Sequence, residues 1–241
     1  MVTGELVLTQ DGPLATLVIS NPPKRNAMTS AMWSALPSLL EDLAKDPSVR
    51  VLILAGAGGT FCAGADITEA AAIARAGDES LAVTAERALA EFPKPSIARV
   101  DGFCVGGGCQ LAVACDLRVA ADSARFGVTP AKLGIVYPPS TTRRLAALVG
   151  PARAKLLLYT ADLFDAAFAE RTGLVDLVVP DAALAGTVQS LATTIAARSQ
   201  LTLRATKAVV SGGAPPAQDE AELAEGLAAF AERRQPVFTW S

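Results

Sequence analysis

The sequence predicts an α/β fold with repeated strand–strand–helix units, and three observations lead to that prediction. Short apolar runs such as Val51–Ala55 are rich in β-branched residues and end at a glycine or another turn residue, which is typical of buried strands. Longer segments rich in alanine and leucine lie between these runs and have helical character. After residue 180 only helical patterns remain, so a helical C-terminal part is expected.

The elements are predicted from this periodicity together with capping and turn residues. The predicted strands are Glu5–Leu8, Leu14–Ser20, Val49–Ala55, Ser96–Arg99, Leu117–Ala120 and Val175–Val179. The predicted helices are Thr29–Lys45, Asp66–Phe92 with a break near Gly77, the segment that follows Gly106–Gly108, Arg143–Leu148, Ala152–Leu158, Ala182–Ser199, Thr202–Val210 and Gln218–Arg233. Asp11–Pro13 form the turn between the first two strands, Thr29 is the expected N-cap of the first helix, and Pro47 lies beyond its end.

The composition favours a globular protein with a large core. The chain has 241 residues, of which 51% are hydrophobic and 19% are charged. A formal net charge of −3 provides no basic surface, so no nucleic-acid partner is expected. No apolar run has the length of a membrane span, and Met1–Glu5 lack the pattern of a signal peptide, so we expect a cytoplasmic protein without a membrane partner.

The sequence contains no histidine, which excludes several mechanisms. Serine and cysteine nucleophiles lack their usual base, and a histidine-ligated metal is impossible. Cys62, Cys104, Cys109 and Cys115 do not have zinc-site spacing, so no metal is expected and they are interpreted as small buried side chains in a reducing compartment. Proton transfer must therefore use Asp, Glu, Tyr, Lys, Cys or water.

Two turns of small residues are the strongest functional signal. Gly106–Gly108 precede an apolar helical segment, and Thr60–Ile67 form a second turn after the Val51–Ala55 run. The first amides of a helix have no internal partner and lie at its positive end, so such a turn can bind an anion or a developing oxyanion. Close packing in a buried turn is the alternative explanation of the glycines. Together, the two turns could place two N–H groups around one carbonyl oxygen.

These turns resemble the crotonase, or enoyl-CoA hydratase/isomerase, superfamily, and the resemblance covers nearly the whole chain in the family's order. The other matching stretches are Asn21–Met28, Lys94–Ala98, Ala114–Ala120, Ala124–Gly127, Gly173–Val175 and Glu225–Arg234. The resemblance implies a crotonase-like spiral of β-β-α units, with a core over residues 1–190 and a helical trimerisation region over residues 191–241. It also implies a homotrimer or a dimer of trimers.

The resemblance further implies an acyl-CoA substrate, with CoA as part of the substrate and no separate cofactor. It assigns the two oxyanion amides to Ala65 and Gly107. By the same resemblance, Lys24 and Arg25 lie in the loop that approaches the CoA phosphates. The stretch that lines the adenine pocket matches Ala63, Asp66 and Ile67. Lys24 and Arg25 could instead form a solvated charge pair, and Asp66 could also cap the helix that follows it.

The sequence departs from the family's hydratases at both catalytic glutamates. The first glutamate lies two residues after the glycine triplet, where this chain has Gln110, and an amide is not a general base. The second lies four residues after the Phe of a Phe-Gly pair, where this chain has Pro130. Hydration by the usual pair of acids is therefore not expected.

The stretch Val128–Tyr137 is similar to the methylmalonyl-CoA decarboxylase branch, with Thr129–Pro130, a Leu-Gly pair and Tyr137 at the same spacing. In that branch the tyrosine belongs to the active site. Decarboxylation of a malonyl thioester needs no base, because the leaving CO2 hands its electrons to the thioester and the oxyanion amides stabilise the enolate. Tyr137 would orient the carboxylate or deliver a proton, with Thr129 as a second polar contact. Alternatively, Tyr137 is buried and bonded to a loop carbonyl.

Three functions therefore remain open at this stage. The first is decarboxylation of a malonyl-type CoA thioester, or other enolate chemistry without a carboxylate base. The second is hydration or isomerisation that recruits another acid, such as Glu69 or Asp101, or that retains weak activity through water. The third is binding of acyl-CoA without catalysis.

Overall fold

The computed structural model describes residues 4–68 and 75–240, and two β-sheets organise this part of the chain. The larger sheet has six strands in the order β1-β2-β3-β4-β6-β9, and the smaller has three in the order β5-β7-β8. Their bounds are β1 Glu5–Asp11, β2 Leu14–Ser20, β3 Val51–Gly56, β4 Ser96–Val100, β5 Phe103–Val105, β6 Leu117–Ala121, β7 Arg125–Gly127, β8 Phe164–Asp165 and β9 Leu177–Val179.

Helices connect and cover these strands. In the described ranges they are α1 Ser30–Lys45, α2 Leu81–Ala90, α3 Gly107–Ala114, α4 Pro139–Val149, α5 Pro151–Thr160, α6 Ala166–Arg171, α7 Asp181–Ala196, α8 Gln200–Val210 and α9 Glu220–Glu232. None of these helices has the length and apolar character needed to cross a bilayer. Short 3-10 turns occur at Pro22–Lys24, Gly77–Glu79 and Pro130–Leu133.

The larger sheet is parallel except for its first pair of strands; the edge strand β1 is largely exposed, whereas β3 is buried on both faces. β1 pairs with β2 in antiparallel register, whereas β2, β3, β4, β6 and β9 are parallel neighbours. Alternate residues of β3 pack on opposite faces, because successive side chains of a strand point to opposite sides. Val51 and Ile53 contact the layer of α7, whereas Leu52 and Leu54 belong to the main core with α1 and α2.

Most predicted elements are confirmed, and the differences concern short strands and helix ends. β5, β7 and β8 were not predicted, because two or three residues are too few to show a periodicity. α4 begins at Pro139, four residues before its predicted start, because proline is accepted in the first turn of a helix. Within the predicted helix Asp66–Phe92, residues 69–74 lie outside the described part, and α2 begins only at Leu81.

The predicted division at residue 190 falls inside α7, whose apolar side packs on the larger sheet as far as Ala196. The two-part organisation and the trimer stay predictions. All four cysteines are buried and free of disulfides, as their interpretation as small core residues predicted.

Lys94 is a fully buried cation beside the end of α1. Its Nζ donates to the carbonyl oxygens of Leu43 at 2.7 Å and Asp46 at 2.5 Å. Burial lowers the pKa of Lys94 to about 8, the nearby Arg204 lowers it further, and Asp46 opposes the shift.

Candidate functional site

The glycine triplet forms the sharp turn that begins α3. Gly106 has a φ of +54°, which strongly favours glycine. A Cβ atom at Gly108 would lie 2.2 Å from the carbonyl oxygen of Cys62, so the helix can approach the preceding turn only with glycine there. The triplet therefore brings the start of α3 directly against the turn that contains Ala65.

Ala65 and Gly107 present backbone amides at this contact. Gly107 is the first residue of α3, so its N–H has no intrahelical partner. The backbone groups on either side of Ala65 bond to Met28, because Gly64 O accepts a hydrogen bond from Met28 N and Asp66 N donates one to Met28 O. Within the described residues, nothing accepts a hydrogen bond from either amide. Both are thus available to a ligand oxygen, as an oxyanion hole requires.

Both residues line a cavity of about 240 Å³. Most of its described wall is apolar or backbone, and no aspartate or glutamate of the described residues lines it. The lining comprises Trp33, Ala63, Gly64, Ala65, Ile67, Ser80, Ala82, Gly106, Gly107, Gln110, Thr129, Pro130, Leu133, Ile135, Val136, Tyr137 and Pro138. All the residues predicted to be catalytic therefore lie on one cavity.

Tyr137 and Thr129 carry hydroxyl groups and line this cavity, and Tyr137 also packs beside Cys109 behind the wall. Tyr137 packs half-buried against the core, and neither hydroxyl has a hydrogen-bond partner in residues 4–68 and 75–240. The alternative in which Tyr137 bonds to a loop carbonyl is therefore not observed. Burial raises the pKa of Tyr137 well above its usual value, and Cys109, Glu86 and Cys104 reinforce that shift, so the phenol stays neutral and able to donate.

Gln110 and Pro130 occupy the two positions where the family's hydratases carry glutamate. Gln110 lies on α3 with its side chain in the cavity wall, and Pro130 begins the 3-10 turn Pro130–Leu133. Pro130 is buried and has no titratable group. The structure thus places an amide and an apolar ring at these positions of the wall.

Glu86 is a functional candidate that the sequence prediction missed. It lies on α2, is 1% exposed, and accepts hydrogen bonds from Gln110 Nε2 at 2.6 Å and Arg144 Nε at 2.8 Å. The Thr141 hydroxyl also donates to it. The signal in the sequence was its position, since Glu86 shares the buried face of α2 with Ala82, Ala85 and Leu89, where a charge is unusual.

The predicted CoA-binding residues form a cluster beside the cavity. Lys24 pairs with the buried carboxylate of Asp66, and Asp66 Oδ1 also accepts from Thr68 N at 3.1 Å, which is the capping contact considered as an alternative. These hydrogen bonds from Lys24 and Thr68 lower the pKa of Asp66. The Arg25 guanidinium lies 5.1 Å from the centre of the Phe103 ring. The two cations are therefore anchored to other elements and do not form an isolated solvated pair.

Ala63 and Ile67 complete that cluster at the rim, and both line the cavity. Their role toward CoA stays a prediction.

The two alternative acids have different positions. Glu69 lies outside the described residues. Asp101 pairs with Arg99 at 3.4 Å and is absent from the described cavity wall.

Comparisons with known proteins identify the family and agree with the fold. The family model of the enoyl-CoA hydratase/isomerase family matches residues 9–220. A crotonyl-CoA hydratase of Syntrophomonas wolfei is 35% identical, with 99% of each chain covered, and a short-chain-enoyl-CoA hydratase of Clostridium acetobutylicum is 34% identical, covering 88% of this chain and 83% of its own.

Solved structures are also similar to this chain, both in fold and in sequence. An enoyl-CoA hydratase/isomerase family member superposes with a TM-score of 0.90 at 37% identity, covering 99% of this chain and 98% of its own. An enoyl-CoA hydratase/isomerase family protein from Hyphomonas neptunium superposes with a TM-score of 0.88 at 38% identity, with 98% of each chain covered. The fold is that of the crotonase superfamily, as the resemblance predicted. The chain belongs to the enoyl-CoA hydratase/isomerase family.

Proposed function

We propose that this protein decarboxylates a malonyl-type CoA thioester and stabilises the resulting enolate with the amides of Ala65 and Gly107. The observation that carries the proposal is a cavity with two backbone amides that have no acceptor among the described residues, lined by the hydroxyl-bearing residues Tyr137 and Thr129 and by no carboxylate in its described wall. Loss of CO2 requires electrostatic stabilisation of the thioester oxygen and an orienting contact to the carboxylate, and it requires no base.

The hydroxyl groups of Tyr137 and Thr129 are the orienting groups in this proposal. A neutral phenol can donate to the substrate carboxylate, and the raised pKa of Tyr137 keeps it neutral at physiological pH. The apolar remainder of the wall, including Leu133, Ile135 and Pro130, disfavours the charged carboxylate relative to the neutral CO2 that leaves. The wall therefore favours the products of the step.

A second candidate is hydration or isomerisation of an enoyl-CoA. It is supported by the names of the relatives, which include a crotonyl-CoA hydratase at 35% identity. An acid from outside the described cavity wall would have to act in it, because Gln110 and Pro130 replace the expected pair.

One assay panel separates these candidates. Purified protein is incubated with methylmalonyl-CoA, malonyl-CoA and crotonyl-CoA, and the acyl-CoA products are quantified. Formation of propionyl-CoA or acetyl-CoA with multiple turnovers supports decarboxylation, whereas 3-hydroxybutyryl-CoA as the only product would refute it. Tight binding of all three without turnover would indicate a binding protein.

A further inference from the structure

Glu86 connects three neighbouring helices behind the cavity, and the proposed reaction does not yet use it. Its carboxylate lies on α2, its partner Gln110 on α3, and its partners Thr141 and Arg144 on α4. Glu86, Gln110 and Thr141 are all buried. A buried carboxylate costs free energy unless its hydrogen bonds are satisfied, and the Glu86 carboxylate accepts three of them. We therefore asked what these hydrogen bonds do for the cavity wall.

The hydrogen bonds fix which way the Gln110 amide points. Glu86 is ion-paired with Arg144 and a carboxylate in such a pair accepts hydrogen bonds, so the group of Gln110 that faces Glu86 Oε2 at 2.6 Å is the NH2. Thr141 Oγ1 lies 3.3 Å from the same nitrogen and beside Glu86 Oε2, to which the Thr141 hydroxyl donates. The NH2 of Gln110 is thus directed at groups behind the wall.

The carbonyl oxygen of Gln110 is left for the cavity. It has no hydrogen-bond partner among residues 4–68 and 75–240, and Gln110 belongs to the cavity wall. We propose that Glu86 is a positioning residue that holds the Gln110 amide in one orientation, so that its carbonyl oxygen is the hydrogen-bond acceptor offered to a water molecule at the acyl end of the substrate. The wall then has an acceptor at Gln110 and donors at Tyr137 and Thr129.

The use of that water rests on the proposed decarboxylation, whereas the orientation of Gln110 does not. In the reaction the bond between the α-carbon and the carboxylate breaks, CO2 leaves, and the electron pair passes into the thioester as an enolate. The α-carbon then takes a proton from the water, and bulk solvent supplies a proton to the hydroxide that remains. The Gln110 oxygen accepts the water's other hydrogen and so directs the transferred proton toward the α-carbon.

A double-mutant cycle tests the orientation without any turnover. Gln110→Glu places two carboxylates at a contact of 2.6 Å, so one of them must take up a proton. We expect the melting temperature to fall by about 5 °C or more at pH 8, with a smaller loss at pH 5.5, because protonation is easier there. Adding Glu86→Gln restores an amide–carboxylate pair with the partners exchanged, and we expect at least about half of the lost melting temperature to return.

A matched control uses another buried carboxylate. Glu222 on α9 accepts the backbone amides of Thr239 and Trp240 and lies outside the cavity wall. Glu222→Gln combined with Gln110→Glu should give additive losses. A Glu86→Gln/Gln110→Glu protein that is no more stable than Gln110→Glu alone, including failure of both to fold, would overturn the proposal.

A kinetic measurement then addresses the cavity-facing oxygen. In Glu86→Gln the amide at 110 can turn around and offer a donor in place of the acceptor, so kcat for decarboxylation should fall about tenfold while KM stays within about twofold. An unchanged kcat would overturn the role toward water. If the wild-type protein does not decarboxylate, the proposed function fails, and the stability cycle still decides the role of Glu86.

Discussion

A Cβ atom at Gly107 would lie 3.3 Å from the amide nitrogen of Ala65 and 3.0 Å from Cζ2 of Trp33. The two turns thus meet more closely than an ordinary side chain permits. Their amides face no other acceptor in the described chain, and both residues line the same cavity. This contact is the geometric basis of the proposed oxyanion hole.

Gly107→Pro removes one of the two donors. Proline suits the first helical position because the N–H there has no partner within the helix, and its Cβ crowds Trp33 as the Cβ of alanine would, so the alanine variant measures the cost of that crowding. Loss of one oxyanion donor should lower kcat by about 100- to 1000-fold in the decarboxylation assay. Gly107→Ala is the matched control, since it adds a crowded methyl group and keeps the N–H, and it should lose less activity. Equal activity of Gly107→Pro and wild type would remove Gly107 from the hole.

Hydration of crotonyl-CoA should be very slow. Loss of one acid or base commonly costs about 100-fold or more, and neither Gln110 nor Pro130 can supply the missing carboxylate. We expect a rate at least about 10⁴-fold below that of a family hydratase assayed in parallel, such as the relative from Syntrophomonas wolfei. A rate of ordinary magnitude would favour a carboxylate from outside the described wall, such as Glu69.

Tyr137→Phe should lower kcat for a branched malonyl-CoA by about tenfold or more and change KM little, because only the contact at the reacting end is lost. The chain's other tyrosine, Tyr159, is 74% exposed, and Tyr159→Phe is the control that should behave as wild type. The raised pKa of Tyr137 keeps the phenol protonated, so kcat should show no loss from its ionisation up to about pH 10. A fall in kcat at pH 8–9 that disappears in Tyr137→Phe would contradict this assignment.

The core elements and the oxyanion turns were predictable because each carries its signal locally. Thr29 accepts from Met32 N at 3.3 Å as the N-cap of α1, and β2 has its predicted bounds. The two small-residue turns were identified locally, and the resemblance to the family then assigned the amides of Ala65 and Gly107. Short strands such as β8 depend instead on pairing with β7, which a local pattern does not reveal.

The hydrogen bonds of Glu86 behind the cavity were not predictable either, because they too join segments that are distant in the sequence. Glu86 and Gln110 are 24 residues apart in the sequence, and their contact exists only because α2 packs on α3 and α3 on α4. A buried glutamate on an apolar helical face was visible, but its partners were not. Conversely, the role of Lys24 was inferred from a loop motif that did not reveal its ion pair with Asp66.

Lys24→Ala should weaken recognition of the nucleotide part of CoA. Lys24 is half-exposed beside the cavity rim, so a phosphate can approach it despite its pairing with Asp66. We expect KM for a CoA thioester to rise several-fold, by about the effect of one exposed charge–phosphate contact, with kcat unchanged. The corresponding pantetheine thioester lacks the nucleotide phosphates and serves as the control, with an unchanged KM. Equal effects on both substrates would remove Lys24 from phosphate recognition.

The lowered pKa of Lys94 leads us to expect that the free energy of unfolding depends on pH in the alkaline range. Its folded-state pKa of about 8 lies below the value of about 10.4 expected when the chain is unfolded, so the unfolded state binds more protons between these limits. The contribution of Lys94 to the free energy of unfolding should therefore rise by about 1–2 kcal/mol from pH 7.5 to 9.5.

Urea unfolding of wild type and Lys94→Met at both pH values, under reducing conditions, measures this difference. Lys94→Met also loses the hydrogen bonds to Leu43 and Asp46, so it should be less stable than wild type at pH 9.5. Identical changes with pH in the two proteins would contradict the assignment.

The proposed oxyanion donors, the amides of Ala65 and Gly107, belong to the main chain, and this has a consequence for how the chemistry of the site can diverge. No side-chain replacement that preserves the two turns deletes these donors, apart from proline. Replacements at positions such as 110, 130 and 137, by contrast, alter the acids, hydroxyls and apolar groups around the same thioester carbonyl. In the proposed mechanism, inheritance of the fold therefore transmits the capacity to stabilise an enolate, while a few cavity positions decide what that enolate is made from and what becomes of it.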